Sequence, residues 1–556
     1  MPAAPSTRPS RPWWRAAVAL FASLAVALPL FGGTAQAAEP KDLSAGRSYT
    51  WSEAPDADRP DRGRQLTDGA LGALDVTDPA WVGSTKGRTR EIVVDLGGSK
   101  SITGIRAHFL QDWPSASVLV PLNVSFAVAD SPRRWATVGR QATELLWGDG
   151  PARDEWFAWG VGDEGVPDRP GARAAYGRFV KISFSVHTRA AQLIDELEVT
   201  GFHGRIDGAV TPAPDRPGYL EPGRATAGIR DLALIYNGQY DNDRGNWTAD
   251  ELRPYLARVD RDGRPVGRLF DGVLMLGLLT PSGVDLGSGW ARQPDWEWYR
   301  DKTFAPGGDL DQLDRAAGQV NAALPGPDRK TKVVLAIPNP GGTLTDFGDV
   351  DGDGITENLN ADAVGREQAL ANQEKVVRWW TAGLIERWRA AGYEQLDLVG
   401  LYWLPEQIDV GPDGPEQARR VAEVIHDHRL TAFWIPHFLA YKAFQWQEVG
   451  LDAAAFQPNY FFEEMDPARI EDAAGIARSY GMGIEVEFDE RAATDPALRE
   501  RLLAYLRGGS RYGYQDAFVA YYQGVDALYR FATSTDPKTR ELYDLVADFV
   551  AGKKIR

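Results

Sequence analysis

The chain has 556 residues, with 78 acidic and 61 basic side chains, a net charge of −17 and no cysteine. The acidic balance argues against partners such as nucleic acid or anionic lipid, because their phosphates would be repelled. The lack of cysteine excludes disulfides and thiol catalysis, so stability must come from core burial. At about 150 residues per domain the length allows about three domains, but a barrel can take about 300 alone, so we predict two.

The first 37 residues have the pattern of a secretory signal peptide. Arg8, Arg11 and Arg15 precede the apolar run AAVALFASLAVALPLFGG, and Ala35-Gln36-Ala37 is a small-residue cleavage site. The apolar run is short for a membrane span, and an uncleaved anchor is the alternative. Cleavage would change the net charge from −17 to −20, because the segment carries three Arg and no acid. We expect a secreted, extracellular protein with no membrane span after signal cleavage.

Residues 43–203 have the pattern of an all-β domain. Five runs alternate apolar and polar residues between turn-rich segments, which predicts a sandwich or jelly roll. The runs are REIVVDLG, SITGIRAHFL, NVSFAVADS, RFVKISFSV and LIDELEVTG. Their order, with LTDG and DPAWVG before them, resembles the discoidin-type, galactose-binding-like sandwich of many carbohydrate-binding modules. The resemblance implies sugar-binding loops at one end. Trp81, Trp113 and Trp147 are candidate stacking platforms, and a structural appendage with buried tryptophans is the alternative.

Residues 204–228 are rich in Pro and Gly and predict a linker. From 229 to 553, eight short apolar strands alternate with amphipathic helices, which predicts a (β/α)8 TIM-like barrel. The longest predicted helices cover 362–391 and 416–428. A doubly wound sheet is the alternative, but no glycine-rich phosphate turn follows the first strand. The predicted strands are Leu232–Tyr236, Phe270–Gly277, Lys332–Ile337, Leu396–Trp403, Leu430–Ile435, Ala454–Tyr460, Met482–Phe488 and Ala517–Tyr522.

Carboxylates at the ends of two of these strands predict acid-base chemistry. LDLVGLYWLPEQ places Glu406 directly after strand four, and GMGIEVEFDE places Glu485 and Glu487 on one face of strand seven. Active sites of such barrels lie at the carboxyl ends of the strands. One carboxyl would protonate the leaving oxygen of a glycosidic bond, and another would attack or stabilise the oxocarbenium-like centre. The alternatives are a solvated loop acid for Glu406 and an inner ion-pair partner for Glu485.

This arrangement resembles the superfamily of barrel glycosidases whose acid/base follows strand four and whose nucleophile follows strand seven. The resemblance implies that Glu406 is the acid/base and Glu487 the nucleophile. The superfamily typically has Asn before the acid/base, whereas this chain has Pro405. The contact that this Asn makes with the sugar 2-hydroxyl is therefore not carried over.

Other side chains at the strand ends form a set suited to sugars. Aromatic faces stack on sugar rings, while amides and acids bind hydroxyls. The partner predicted from this set is a polysaccharide or oligosaccharide, and the two-carboxylate chemistry requires no cofactor. Trp290 belongs to a group of aromatic residues that could line the cleft. The predicted substrate-binding residues are Tyr236, Asn237, Trp403, His437, Asn459, Tyr460 and Tyr522.

A separate motif, FGDVDGDGITENLN, predicts a metal site. Asp349, Asp351 and Asp353 occupy alternate positions, as oxygen ligands do in the first half of a calcium loop. The twelfth position is Asn360 instead of a bidentate Glu, so the motif is not an EF-hand. We predict a structural Ca²⁺ after strand three. The alternatives are a plain acidic turn and a metal-dependent hydrolase centred on this loop.

Five segments of the barrel half resemble DUF4855, a secreted bacterial family. They are YNGQYDNDRGNWTADELRPYL, LFDGVLMLGLL, FGDVDGDG, LVGLYWLPE and PNYFFEE, within residues 230–552. The resemblance implies an extracellular protein with a glycosidase-like barrel, but the family name carries no activity. The leading hypothesis is therefore a secreted glycoside hydrolase, carried by the carboxylates. The alternative is a non-catalytic extracellular carbohydrate-binding or cell-surface protein, whose acids only hydrogen-bond sugars.

Overall fold

The computed structural model describes residues 39–555, except 85–87, 146–149, 163–165, 167–168, 170, 186–189 and 464. The predicted signal peptide lies outside the described residues. One compact unit runs from Pro40 to Arg556. It contains an N-terminal all-β part, called the sandwich below, and a C-terminal barrel, each with its own apolar core. The strands of the all-β part are hydrogen-bonded as one ten-stranded sheet. No helix in the described part is both long and apolar enough to span a bilayer.

Ten strands of the described residues form the all-β part, and the long strand β4 pairs with four of them. Two predicted strands, REIVVDLG and SITGIRAHFL, are one strand that bends at Gly97 and Gly98, with φ of 74° and 157°. Glycine permits the bend because it has no Cβ. The elements are β1 (Lys41–Asp42), β2 (Tyr49–Trp51), β3 (Val82–Ser84), β4 (Thr89–Gln111), α1 (Trp113–Ala116), β5 (Asn123–Ala129), β6 (Ala136–Ala142), β7 (Arg153–Gly160), β8 (Ala174–Ser185), β9 (Gln192–His203) and β10 (Ala209–Val210).

Eight parallel strands close the barrel, and the last pairs with the first. All eight predicted strands are present, because each is a short apolar run that can be buried on both faces. The closed barrel of the prediction is confirmed, and the doubly wound sheet is excluded. The strands are β11 (Asp231–Tyr236), β14 (Gly272–Leu276), β15 (Thr331–Ile337), β16 (Leu396–Trp403), β17 (Thr431–Trp434), β18 (Ala453–Phe456), β19 (Gly483–Glu487) and β20 (Val519–Tyr522), and β12 (Ala257–Val259) with β13 (Pro265–Arg268) forms a separate hairpin.

Helices cover most connections of the barrel. The helix predicted over 362–391 is divided at Gly365, whose φ of 84° is left-handed and does not continue a helix. The helices are α2 (Ala249–Leu256), α3 (Gln293–Thr303), α4 (Asp309–Ala323), α5 (Ala361–Val364), α6 (Arg366–Ala391), α7 (Asp413–Asp427), α8 (Arg469–Tyr480), α9 (Pro496–Tyr512), α10 (Ala527–Thr533) and α11 (Pro537–Val550).

The connection between β17 and β18 departs from the predicted strand-helix repeat. It contains a short 3-10 helix, Ala443–Val449, in place of an α-helix. The sandwich packs against this connection, and Ala142 of β6 joins the apolar core of the barrel. The prediction of a helix in every repeat is therefore wrong here, because the sandwich covers the flank that a helix would cover.

The segment 204–228 is bound to both parts of the molecule. Its backbone donates a hydrogen bond from Asp215 to the carbonyl of Trp135 in the sandwich, at 2.7 Å. Leu220 donates to Met482 at 3.1 Å and accepts from Phe518 at 2.8 Å, both in the barrel. The predicted linker is thus a fixed connection. The exact domain bounds stay a prediction.

Candidate functional site

Three glutamates cluster at the carboxyl ends of two barrel strands. Glu485 and Glu487 lie on one face of β19 and are 2% and 3% exposed. Glu406 follows β16 in a loop and is accessible. The charge of Glu406 acts on both glutamates of β19, so the three carboxyls share one site. These are the three predicted catalytic residues, and the structure brings them together.

The environments of the three carboxyls differ. Burial raises the pKa of Glu406, a hydrogen bond from Gln457 opposes this, and the charge of Asp285 adds to it. Burial, followed by the charges of Glu487 and Glu406, raises the pKa of Glu485 well above its usual range. Burial raises the pKa of Glu487 to about 7, although the Tyr505 hydroxyl lowers it. Glu485 therefore holds its proton to higher pH than an ordinary glutamate, and Glu487 divides between its two forms at neutral pH.

Glu406 combines solvent access with crowding by protein atoms. Its side chain keeps an exposed surface, yet desolvation is the main cause of its raised pKa. A residue with both properties has one side that faces solvent while the others face protein. A carboxyl in this position can reach a bound ligand.

Hydrogen bonds hold Glu487 in place. The hydroxyl of Tyr505, on α9, and the backbone N–H groups of Asn459 and Tyr460 donate to its carboxylate. Asn459 has a left-handed backbone with φ of 50°, a conformation in which successive N–H groups can face one anion. Its side chain accepts a hydrogen bond from the Phe438 N–H at 2.8 Å. Two predicted substrate-binding residues, Asn459 and Tyr460, therefore lie at the site and contact Glu487 through their backbone.

Aromatic side chains form one wall beside the carboxyls. Tyr522 is level with Glu487 in the sheet register, and its hydroxyl accepts a hydrogen bond from Tyr236 at 2.5 Å. Phe462, which is 42% exposed, packs edge-on against Tyr522 with ring centroids 5.5 Å apart. Tyr240 stacks on Tyr236 at 5.4 Å. The structure thus places the predicted residues Tyr236 and Tyr522 in the site.

Two predicted substrate-binding residues do not reach the accessible part of the mouth. Asn237 is fully buried, where its amide accepts a hydrogen bond from Tyr299 at 2.9 Å and donates to Thr303 at 3.0 Å. Trp403 is 2% exposed and packs in the barrel core. Both residues lie at strand ends, as the sequence predicted, but their side chains make contacts within the protein interior.

His437 supports the site as a neutral group. Its backbone N–H donates to the carbonyl of Glu406 at 3.0 Å, and its Nδ1 accepts from the Leu439 N–H at 3.3 Å. Burial and the nearby charge of Arg469 lower the pKa of His437 to about 4. The imidazole is therefore uncharged at neutral pH and can only offer hydrogen bonds.

Three further residues at the site were not predicted. Gln457 and Phe462 follow β18, but the predicted strand extended to Tyr460 and hid the true strand end. A predicted strand that ended at Phe456 would have placed Gln457 directly after the strand end, among the candidate site residues. Tyr505 lies in the middle of α9, and no sequence signal marks it. Glu464, which also follows β18 in the sequence, lies outside the described residues.

The aspartate loop can offer three oxygen ligands. One carboxylate oxygen from each of Asp349, Asp351 and Asp353 lies within 4.8 Å of the others. Oxygen donors suit Ca²⁺. The ammonium of Lys375, however, binds Asp351 at 2.6 Å and Glu357 at 2.8 Å. An ion would therefore compete with Lys375 for Asp351, and the structural Ca²⁺ stays a prediction.

One of the three candidate platforms of the sandwich, Trp81, is too buried to stack on a sugar. Trp81 is 2% exposed, and its Nε1 donates to the carbonyl of Ala73 at 2.8 Å. Trp113 is half-buried, and Trp147 lies outside the described residues. Trp81 therefore has the buried role that the sequence left as the alternative.

A cavity of about 750 Å³ lies between the sandwich and α8, away from the three glutamates. Part of its charged lining is paired, as in Lys181 with Glu91 at 2.7 Å and Arg88 with Glu53 at 3.2 Å. None of the predicted site residues lines it. The chemistry of the barrel mouth is therefore separate from this space.

Comparison with protein families assigns the barrel. The model of DUF4855, described as a domain of unknown function, matches residues 231–548. The chain belongs to this family. The matched residues of DUF4855 include all eight barrel strands, so the resemblance seen in the sequence is confirmed. No curated protein matches the chain.

Three solved structures each resemble part of this DUF4855 protein. Chitosan-binding module 1 of a chitosanase/glucanase from Paenibacillus sp. IK-5 is 20% identical, with 29% of this chain and 99% of that chain covered and a TM-score of 0.20. The lectin domain of lectinolysin complexed with Lewis B antigen is 17% identical, with 30% and 100% covered and a TM-score of 0.20. A Clostridium perfringens module in complex with GalNAc-β-1,3-galactose is 13% identical, with 29% and 99% covered and a TM-score of 0.21.

Proposed function

We propose that the protein is a secreted glycoside hydrolase that cleaves a polysaccharide or oligosaccharide with two carboxylates of the DUF4855 barrel. The supporting observation is the contrast between Glu406 and Glu487. Glu406 is accessible, whereas Glu487 is buried and held by donors that favour its anion. Glycoside hydrolysis needs two carboxyls in one site, one protonated and one ionised, and different environments allow this difference.

In this proposal Glu406 is the acid. Burial raises the pKa of its carboxyl, so the proton is retained to higher pH than on a free glutamate. Its accessible position lets it deliver that proton to the leaving oxygen of a bound glycan. The Gln457 amide, which hydrogen-bonds Glu406, orients the carboxyl for this transfer.

Glu487 is the ionised partner in the proposed reaction. The Tyr505 hydroxyl and two backbone N–H groups donate to it, and each bond favours the negative form. That carboxylate attacks the anomeric carbon or stabilises the oxocarbenium-like centre. The raised pKa of Glu485 favours its protonated form, so in this proposal it acts as a hydrogen-bond donor within the site, not as a base.

The aromatic wall would bind the sugar. Phe462 and Trp290 are 42% and 59% exposed, and both lie in connections that follow barrel strands. Exposed rings in such positions stack on the apolar faces of sugars. The neutral His437 and the hydroxyl of Tyr522 supply hydrogen bonds for sugar hydroxyl groups.

A non-catalytic glycan-binding protein is the second candidate. It is favoured by the raised pKa of Glu485 and the partial protonation of Glu487 at neutral pH, because neutral carboxyls bind hydroxyls without cleaving bonds. Incubation of the chain from residue 38 onwards with a panel of bacterial and plant glycans separates the two. Oligosaccharide products in the mass spectrum support the hydrolase. Calorimetric affinity without products supports the binding protein.

A further inference from the structure

The sandwich covers the barrel beside the candidate active site. It packs on the β17–β18 connection, where the repeat lacks an α-helix. That connection includes His437, whose backbone N–H donates to the carbonyl of Glu406 at the three-glutamate site. A domain docked at this position is close enough to control the geometry of the site.

Asn123, at the start of β5, makes the decisive contact. Its Nδ2 donates to the carbonyl of Ala440 at 3.0 Å, across the boundary between sandwich and barrel. Asn123 is 6% exposed, and among the described residues its Oδ1 has no hydrogen-bond partner. Burying an amide oxygen without a hydrogen-bond partner costs free energy of folding. We therefore take the hydrogen bond donated by Nδ2 to be the reason for an asparagine at this position.

A chain of hydrogen bonds leads from Asn123 to the carboxyls. The Ala440 N–H donates to the carbonyl of His437 at 2.9 Å, which closes a turn. The His437 N–H donates to the carbonyl of Glu406 at 3.0 Å. In the same turn, the Phe438 N–H donates to the side chain of Asn459 at 2.8 Å. The turn His437–Ala440 thus contacts the backbone of Glu406 and the loop that holds Glu487.

We infer that Asn123 is a positioning residue for the barrel site, and that the sandwich is a structural part of the active site. By fixing the carbonyl of Ala440, Asn123 holds the turn against Glu406 and Asn459. Release of the turn would admit water to the side of Glu406 that now faces protein and would loosen the orientation of its carboxyl. The catalytic part of this inference rests on the proposed hydrolase function, whereas the bracing of the turn does not.

Gln445 supplies a matched control in the same connection. It is 5% exposed, its Nε2 donates to the carbonyl of Arg140 across the same boundary at 3.1 Å, and its Oε1 is also without a partner among the described residues. Gln445 lies beyond the turn, in the 3-10 helix. The variants Asn123→Leu and Gln445→Met each remove one amide of the same kind at nearly constant side-chain volume. Only the first affects the turn.

Hydrogen exchange of the full-length variants, read by mass spectrometry, tests the brace without any substrate. Asn123→Leu is expected to speed exchange in peptides covering 437–440 by about tenfold relative to wild type. Gln445→Met is expected to leave these peptides unchanged. Equal exchange in wild type and Asn123→Leu, or equal acceleration in both variants, would overturn the inference, whether or not the protein cleaves glycans.

The pH profile of glycan cleavage tests the positioning role. Asn123→Leu is expected to lower kcat by about tenfold. Its alkaline limb should move to lower pH, because water lowers the pKa of Glu406 towards its ordinary value. Gln445→Met should retain the wild-type profile. Asn123→Leu with the wild-type kcat and alkaline limb would overturn the positioning role, and absence of cleavage by wild type would overturn the proposed function instead.

Discussion

The hydroxyl of Tyr505 donates a hydrogen bond to the carboxylate of Glu487, from the middle of α9 to the end of β19. Both side chains are buried, and the Tyr505 oxygen also accepts the Tyr460 N–H at 3.1 Å. The bond favours the ionised carboxyl and opposes the burial that raises its pKa. Tyr505 therefore keeps part of the Glu487 population anionic at neutral pH, as the proposed reaction needs.

Removal of this hydroxyl should shift the acid limb of the activity profile. In Tyr505→Phe, the pKa of Glu487 rises further above about 7, because burial then acts with one donor fewer. We expect the acid limb of kcat to move to higher pH by about one unit. Tyr512→Phe, at the end of the same helix, is the control. An acid limb that stays in place would contradict the assigned role of Tyr505.

Stability should depend on pH through Glu487. The native carboxyl titrates at about 7, against 4.5 for an ordinary glutamate. Between these values the native state holds more protons than the unfolded state. The stabilisation is therefore complete below the lower value and is lost as pH rises through the higher one, by at most about 1.4 kcal/mol per pH unit.

Urea unfolding at about pH 5 and about pH 7 measures this slope. Glu487→Gln should reduce the loss of stability between the two values, because the amide does not titrate. Glu386→Gln, at an exposed position of α6, should keep the wild-type slope. Identical slopes in wild type and Glu487→Gln would show that Glu487 does not titrate in this range.

The left-handed backbone of Asn459 should distinguish two small substitutions. Asn459→Gly and Asn459→Ala both remove the side-chain bond to the Phe438 N–H, but only alanine is strained at φ of 50°. We expect the alanine variant to be less stable than the glycine variant by about 1 kcal/mol in urea unfolding. Equal stabilities would indicate that the loop relaxes to another conformation.

The aspartate loop gives a test of calcium binding. In Lys375→Ala, Asp351 loses its ammonium partner and is free to bind an ion. If the predicted site exists, Ca²⁺ should raise the Tm of Lys375→Ala more than that of wild type, and Asp349→Asn should abolish the rise. Glycan cleavage should survive chelation by EDTA, since the two-carboxylate chemistry uses no metal ion. Loss of cleavage with EDTA would favour the metal-dependent hydrolase of the sequence analysis.

The fold was predictable because its signals are local. Each barrel strand is a short apolar run between helix start signals, as in LDLVGLYW before Glu406, and such runs become parallel strands buried on both faces. The β17–β18 connection was not predictable in the same way. Its missing helix is replaced by the sandwich, and long-range docking of this kind leaves no local pattern.

The site was predictable only where residues follow strand ends. Glu406, Glu485 and Glu487 were found by that rule, and the same rule selected Asn237 and Trp403, whose side chains are buried inside the protein. The sequence gives the position of a residue along a strand, but it does not show whether packing buries the side chain away from a ligand. Tyr505 could not be found, because a helix interior carries no mark of the carboxylate it contacts.

The most direct test of the account compares product release by wild type, Glu406→Gln and Glu487→Gln on a glycan that wild type cleaves. Each variant keeps the size of its side chain but loses proton transfer or negative charge. We expect each to release products about 10²- to 10⁴-fold more slowly, while Glu386→Gln retains the wild-type rate. Wild-type rates in both glutamine variants would contradict the assignment of this site.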